Sequence, residues 1–292
     1  MKYQVISTNN TIYPTRWMCK QLRVSTSGYY AWRHKRQLPD GMDADAILAA
    51  QIKGVHAASH GAYGSPRIHQ ALHQSGICVG RKRVARLMHE YGLRGRTRRR
   101  APRTVVRDEH AAVAPNLLAR DFTASAPNQK WVTDMTYLPT AEGWLYLAAI
   151  IDLFSRRVVG YALADHLRTD LAVKALYDAV ERRKPSSGLL HHSDRGCQYT
   201  SHLYQQQLAD LGMVCSMSRR GQCWDNSVAE SFFGRLKEEL QPRHIWASKV
   251  QAAQQVKAYI DRFYNTKRIQ KRLGYLCPVA YEAKAMQPLV AA

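Results

Sequence analysis

From residue 131 onward the apolar positions come in short, nearly unbroken bursts: WVTDMTYLP, WLYLAAIID and RRVVGYALA. Bursts of this length, rich in β-branched and aromatic residues, predict strands rather than helices. Ala141-Glu142-Gly143 separates the first two as a turn, so the three strands are expected to form an antiparallel meander. The period then changes. Thr169 to Lys184 is an amphipathic helix, GLLHHS a short apolar strand, SHLYQQQLADLG a second helix, MVCSMS a fifth strand and NSVAESFFGRLKEEL a long helix. On that last helix Val228, Phe232, Leu236 and Leu240 are read as the core stripe, and Glu230 points away from it.

Before residue 131 the pattern is helical and punctuated by turns. In YPTRWMCKQLRVSTSGYYAWRHKR, Ser25-Thr26-Ser27-Gly28 interrupts two short helical patterns. Leu48, Ile52 and Val55 recur at helical spacing between Ala44 and His56. Ser65-Pro66 reads as an N-cap followed by proline at the first helical position, leading a helix with Ile68, Ala71 and Leu72 on one side. After the turn at Ser75-Gly76, RKRVARLMHEYG places Val84, Leu87, Met88 and Tyr91 on one face and Arg81, Lys82, Arg83 and Arg86 at its start and outer face. Helix, tight turn and basic helix form a helix-turn-helix pattern. A small bundle with a solvated basic face would show the same pattern.

Charge separates these two readings. The 292-residue chain carries a net charge of +21, and residues 1–107 hold 20 Lys and Arg against 4 Asp and Glu. Arg94, Arg96, Arg98, Arg99, Arg100, Arg103 and Arg107 follow the basic helix; crowded in a compact fold they would repel one another, whereas an extended arm can lay them along phosphates. Double-stranded DNA is the expected partner, ahead of a membrane surface, because no amphipathic basic helix with a large aromatic face stands out. Five segments follow: a leader of short helices (1–41), a helix-turn-helix-like DNA-binding domain (42–93), an arginine-rich arm (94–123), a catalytic core (124–241) and a basic helical C-terminal extension (242–292). The six cysteines include no CxxC pair, so the spacing of His56 and His60 does not amount to a zinc site. The longest apolar run, WLYLAAII, is too short to span a bilayer, and a soluble, cytoplasmic protein without a membrane partner is expected.

Within the core segment, Asp134 lies in the first strand, Asp194 just past the fourth, and Glu230 in the long helix. Three strands followed by alternating helix and strand give a mixed five-stranded α/β sheet, the order of the ribonuclease-H-like architecture. That order makes the first and fourth strands neighbours and brings Asp134 and Asp194 together near the sheet's edge. Two carboxylates so placed repel. Hard divalent ions, magnesium or manganese and two in number, would relieve the repulsion. Lys237 lies two turns beyond Glu230 on the same side, placed to touch a phosphate. Each carboxylate alone has an ordinary reading as a turn starter or a solvated surface group; the argument lies in the set.

At these residues the chain resembles a known family. WVTDMTYLPTAEGWLYLAAIIDLFSRRVVGYAL, HHSDRGCQYTS, RRGQCWDNSVAESFFGRLKEEL and YNTKRIQKRLGYLCPVAYE are similar to successive blocks of insertion-sequence transposases with a retroviral-integrase-type core, specifically the second-frame (OrfB) product of insertion sequence family three. Gly80, where a serine cap is usual, and Trp224, where tyrosine is common, are small departures. The resemblance implies an Asp-Asp-Glu active site at Asp134, Asp194 and Glu230 assisted by Lys237, and metal-dependent cleavage and joining of DNA strands at element ends. It also implies an upstream-frame (OrfA-type) partner, a homo-oligomer on DNA and a nucleoid-associated bacterial setting. No covalent protein intermediate is required, so Tyr137 and Tyr199 need not be nucleophiles; Tyr199 and Gln198 would pack beside the site or touch DNA, and Asn226 would position a phosphate or, like Asp225, cap the helix. A ribonuclease-H-like nuclease or resolvase would use similar carboxylates but gains little from the helix-turn-helix and arm. A non-catalytic DNA-binding regulator would not need all three carboxylates.

Overall fold

Six short helices precede the first strand in the computed structural model, which describes residues 2–36, 44–96, 114–220, 222–240 and 245–287. Helices α1 (Lys2–Asn9), α2 (Thr15–Gln21) and α3 (Thr26–Arg36) enclose a core of Ile6, Met18, Cys19 and Tyr29. The break between α2 and α3 falls at residues 22–25, earlier than the Ser25–Gly28 interruption expected. The hydroxyl of Ser25 accepts the Gly28 N–H at 2.9 Å, so helix begins inside the serine-rich stretch. Helices α4 (Ala44–Ala58), α5 (Ser65–Gln74) and α6 (Arg81–Glu90) bury Leu48, Ile52, Ile68, Leu72, Val84, Leu87 and Met88. Gly64, not Ser65, is the N-cap of α5, because its carbonyl already accepts the N–H groups of Arg67 and Ile68. Tyr91 stands past the end of α6 and is 44% exposed rather than in the core. Gly92, at φ +64, bends the chain so that Leu93 N–H reaches the Met88 carbonyl at 2.7 Å and closes the helix.

The chain forms two compact units, Met1–Ala58 with Tyr63–Arg94, and Ser59–Ala62 with Gly95–Ala292. The second contains the sheet: β1 (Lys130–Thr140), β2 (Gly143–Asp152), β3 (Val158–Ala164), β4 (Leu190–Ser193) and β5 (Val214–Met217), in the order β3-β2-β1-β4-β5. β1 pairs antiparallel with β2 and parallel with β4, and β2 pairs antiparallel with β3. The meander is as the sequence predicts, but β1 is the middle strand rather than a strand near the edge. β2 is buried without alternation from Leu147 to Asp152, which explains its continuous apolar run: helices cover both faces. On one face α7 (Thr169–Arg183) lies so close that a Cβ on Gly160 would stand 2.4 Å from the Ala179 backbone nitrogen. β3 starts at Val158 rather than Arg156, because Arg156 takes φ +61 in the turn before it.

Beyond β4 come a one-turn helix α8 (Cys197–Thr200), not expected from the sequence, and α9 (His202–Asp210), capped by the Ser201 hydroxyl. A 3-10 turn, Cys223–Asn226, then leads into α10 (Ser227–Leu240). The buried face of α10 is Ala229, Phe232, Phe233, Leu236 and Glu239, with Val228 and Leu240 only half-buried. A stripe stepping strictly by four drifts about 40° per step off one face, which is why the expected Val228–Leu240 stripe fails at both ends. Glu239 is buried because Arg268 Nε, at 2.7 Å, and the Tyr259 hydroxyl, at 2.8 Å, satisfy its carboxylate. The remaining chain, with α11 (Lys249–Ala258) and α12 (Pro278–Met286), packs into this unit: Asn265 pairs with both the N–H and the carbonyl of Val158, and Glu282 meets Arg157 and Arg183. No helix among the described residues is long and apolar enough to cross a membrane.

Candidate active site

The parallel register of β1 and β4 sets the site. Lys130, Trp131 and Val132 face Leu190, His191 and His192 in turn, and continuing that register by two residues brings Asp194 level with Asp134. Asp194 leaves the strand in a turn stabilised by its own carboxylate, whose Oδ1 accepts the Gly196 N–H at 2.9 Å. A side chain at Gly196 would crowd that oxygen, since its Cβ would lie 3.1 Å away. Asp134 Oδ1 accepts the N–H of Met135 at 2.8 Å, which holds the carboxyl against its own strand.

Protein packing around the half-buried Asp134 strips part of its hydration and raises its pKa well above the usual carboxylate range. The negative charge of Asp194 is the next largest influence, and Glu230 on α10 pushes the same way. The Met135 N–H and the Lys237 ammonium oppose the rise. The fold therefore gathers Asp134, Asp194, Glu230 and Lys237 into one electrostatic cluster drawn from β1, the end of β4 and α10. Among the described residues no three His, Cys, Asp or Glu side chains stand close enough together to hold a metal ion as they are.

Lys237 is itself partly desolvated, which lowers its pKa against the pull of Asp134. Its ammonium lies 4.5 Å from the centre of the Tyr137 ring, and that ring packs edge-on to Trp144 at 4.9 Å. Tyr137 thus carries the lysine on its face, a contact with no signal in the sequence beyond a tyrosine three residues past Asp134.

The side chains around the cluster are engaged within the fold. Tyr199 is buried in the sheet's core beside the cluster, one of the two placements expected of it, with its hydroxyl 3.2 Å from Thr133 Oγ1. Gln198 donates to the Leu167 carbonyl. Asp225 is fully buried and accepts from Arg219, Arg120 and Asn116; the Arg219 guanidinium holds its carboxyl below the usual range. Asn226 is also buried and donates to the Thr133 carbonyl at 3.0 Å. Asn116 and Arg120 come from the segment expected to be a basic arm, and at this end it is fastened to the core, with Leu118 buried.

The basic residues separate into engaged and open groups. Arg83 donates to Asp45 at 2.7 Å, Arg86 bridges Asp45 and Glu90, and Arg96 donates to the carbonyls of Glu238 and Glu239 at the end of α10. Arg81, Lys82 and Arg94 form no ion pair among the described residues. Arg98, Arg99 and Arg100 lie outside the described residues.

Known protein families match parts of the chain. An integrase core domain family matches residues 124–223, a second integrase core family matches 211–278, and an HTH-like domain family matches 42–101. The chain is 40% identical over 270 residues to an uncharacterised 31 kDa protein of insertion element IS600 from Shigella sonnei, covering 92% of this chain and 99% of that protein. It is 38% identical over 292 residues to transposase InsF of insertion sequence IS3A from Escherichia coli K12, covering 97% and 99%. A chain of the cryoEM structure of a simian T-cell lymphotropic virus intasome with PP2A regulatory subunit B56 gamma is similar with a TM-score of 0.47 and 15% identity, over 83% of this chain and 76% of that one.

Proposed function

Because this chain belongs to the transposases of IS3-type insertion sequences, we propose that Asp134, Asp194 and Glu230, with Lys237, form the centre that cleaves and joins DNA strands. The observation that carries this reading is the electrostatic influence of Asp194, Glu230 and Lys237 on Asp134, where the end of β4 lies beside the middle of its parallel neighbour β1. The ends of parallel strands in an α/β sheet form a crevice where ligands bind.

The donor set fits a hard divalent cation. Asp134 is a desolvated carboxylate facing two more carboxylates, an arrangement that is costly without positive charge and that offers only oxygen ligands. Asp134, Asp194 and Glu230 would hold magnesium or manganese, in a pair. Such ions, when bound, lower the pKa of an attacking water or DNA 3′-hydroxyl and stabilise the leaving oxygen of the phosphodiester. The chain's own residues do the positioning. Two carboxylates are fixed by strand register and by backbone N–H donors, the third rides on α10, and Lys237, held over Tyr137, offers its ammonium to a nonbridging phosphate oxygen. No side-chain nucleophile is used, in keeping with the burial of Tyr199.

Residues 42–93, with the arginines beyond, bind the duplex in this reading, Arg81, Lys82 and Arg94 being the described cations open to phosphates. Strand joining needs two DNA ends held together, and the chain has no sustained heptad repeat to pair protomers. An upstream-frame partner and a homo-oligomer assembled on DNA fill that need. Titration calorimetry with manganese tests the centre: heat of binding in the wild type, lost in Asp134→Asn and Asp194→Asn at matched folding, is expected. Undiminished binding in both variants would remove the metal assignment.

A further inference from the structure

Residues 1–36 contain seven Lys and Arg and not one Asp or Glu. They are not a loose basic tail. α1, α2 and α3 share a closed core in which Ile6 and Tyr29 are fully buried, with Tyr3, Leu22, Val24 and Trp32 packed around it. From these features we propose that α2 and α3 are a second helix-turn-helix, which binds duplex DNA separately from α4–α6.

The geometry of the turn is specified by the sequence. Arg23 takes φ +53, Val24 N–H reaches the Cys19 carbonyl at 2.9 Å, and Lys2 Nζ donates to the Leu22 carbonyl at 3.1 Å. From the other side α1 lies close to the start of α3: a Cβ on Gly28 would come within 2.5 Å of the Tyr3 hydroxyl, so a larger residue there would make the tyrosine shift. A short helix, a tight four-residue turn and an 11-residue helix, braced by a third, is the arrangement that carries a recognition helix into the major groove.

What the module leaves outward fits a nucleic acid. Ser27 and Tyr30 are exposed in the first turns of α3, the part of a recognition helix that reaches base edges, and Tyr30 is 54% exposed. Arg16 and Lys20 on α2 and Arg23 in the turn are exposed and form no ion pair among the described residues. This contrasts with α6, where Arg83 and Arg86 are committed to Asp45. With no carboxylate in the module, its cations have no internal counter-charge, and phosphates supply one while releasing condensed counterions. An anionic protein surface would match the charge too, and duplex affinity left unchanged by loss of these cations would point to it.

The test uses the full chain and a labelled random-sequence duplex. The triple variant Arg16→Gln, Lys20→Gln, Arg23→Gln is expected to bind at least about tenfold more weakly at moderate salt, with its log–log salt slope reduced by roughly 2–3 units, because each phosphate contact contributes about 0.9. Its thermal unfolding should match the wild type, since none of the three side chains is buried. Unchanged affinity and slope in a folded triple variant would overturn the proposal. A second measurement needs no variant: in the wild type, acetylation of exposed Lys20 should be suppressed by saturating duplex, and a Lys20 acetylated equally with and without DNA would overturn it as well. Both readouts are independent of the carboxylate centre, so metal binding at Asp134 and Asp194 can stand or fall separately.

Discussion

The side-chain amide of Asn226 donates to the main-chain carbonyl of Thr133 at 3.0 Å, and both residues are buried. Thr133 directly precedes Asp134, and Asn226 ends the turn from which α10 carries Glu230. This hydrogen bond therefore ties the strand of one carboxylate to the helix of another. Asn226→Ala leaves the Thr133 carbonyl without this donor, at a cost of about 1–3 kcal/mol. The expected result is strand cleavage reduced by about tenfold or more, with duplex affinity retained, since 1.4 kcal/mol in positioning is a factor of ten in rate. Full cleavage by a folded Asn226→Ala chain would show that the tie is unnecessary.

Removing a charge from the cluster should stabilise the metal-free protein. Burial and the charges of Asp194 and Glu230 all disfavour ionised Asp134. In chelator, Asp134→Asn is expected to melt at or above the wild type. Magnesium should then raise the wild-type melting temperature and leave the variant where it is, because a ligand stabilises only the state that binds it. An equal magnesium response in both would take Asp134 out of the ligand set. The same variant, with Asp194→Asn and Glu230→Gln, is expected to abolish cleavage and joining while duplex binding persists.

Tyr137 is expected to act through its ring rather than its hydroxyl. The Lys237 ammonium lies over the ring face at 4.5 Å, a contact worth roughly 0.5–2 kcal/mol. Tyr137→Phe keeps the face and should cleave at close to the wild-type rate, whereas Tyr137→Ala frees the lysine and should lose roughly two- to thirtyfold. Equal losses in the two would point to the hydroxyl instead.

His191, one of two buried histidines of β4, is expected to make the fold acid-sensitive. Burial, then the neighbouring His192, pushes His191 down to about 3, and its Nε2 lies 3.3 Å from the Tyr204 hydroxyl. The unfolded imidazole titrates near 6.5, so below that pH the unfolded chain takes up a proton that the folded chain refuses. Stability from this group is complete above about pH 6.5 and falls as pH drops toward the folded value, by up to about 1.4 kcal/mol per pH unit. Urea unfolding at pH 5 should therefore give roughly 2 kcal/mol less than at pH 7 from His191 alone. His191→Gln should shrink the difference by about that amount; an unaltered pH slope would assign the sensitivity elsewhere.

Local pattern was enough for much of this protein. The bursts WVTDMTYLP and WLYLAAIID became β1 and β2, because short apolar runs rich in β-branched and aromatic residues and divided by a turn suit a buried sheet, and Gly92 ended α6 where a left-handed residue was needed. The approach of Asp134 and Asp194 was legible because strand order makes β1 and β4 neighbours, whereas the place of Glu230 depends on how α10 packs. Pairings between distant segments were not legible, since nothing local encodes them. Glu239 reads as a surface residue until Arg268 and Tyr259 arrive to neutralise it, and only then does the buried face of α10 rotate to include it. Arg83 and Arg96 read as free cations; the fold gives one a carboxylate on α4 and the other the carbonyls that end α10. Asn226 and Tyr137 have no distinguishing pattern in sequence, yet they connect the elements that bear the carboxylates. The chain's periodicity determined which segments become helix or strand; long-range packing decided which charges are committed inside the fold and which remain for DNA and metal, because a charge's cost depends on what surrounds it.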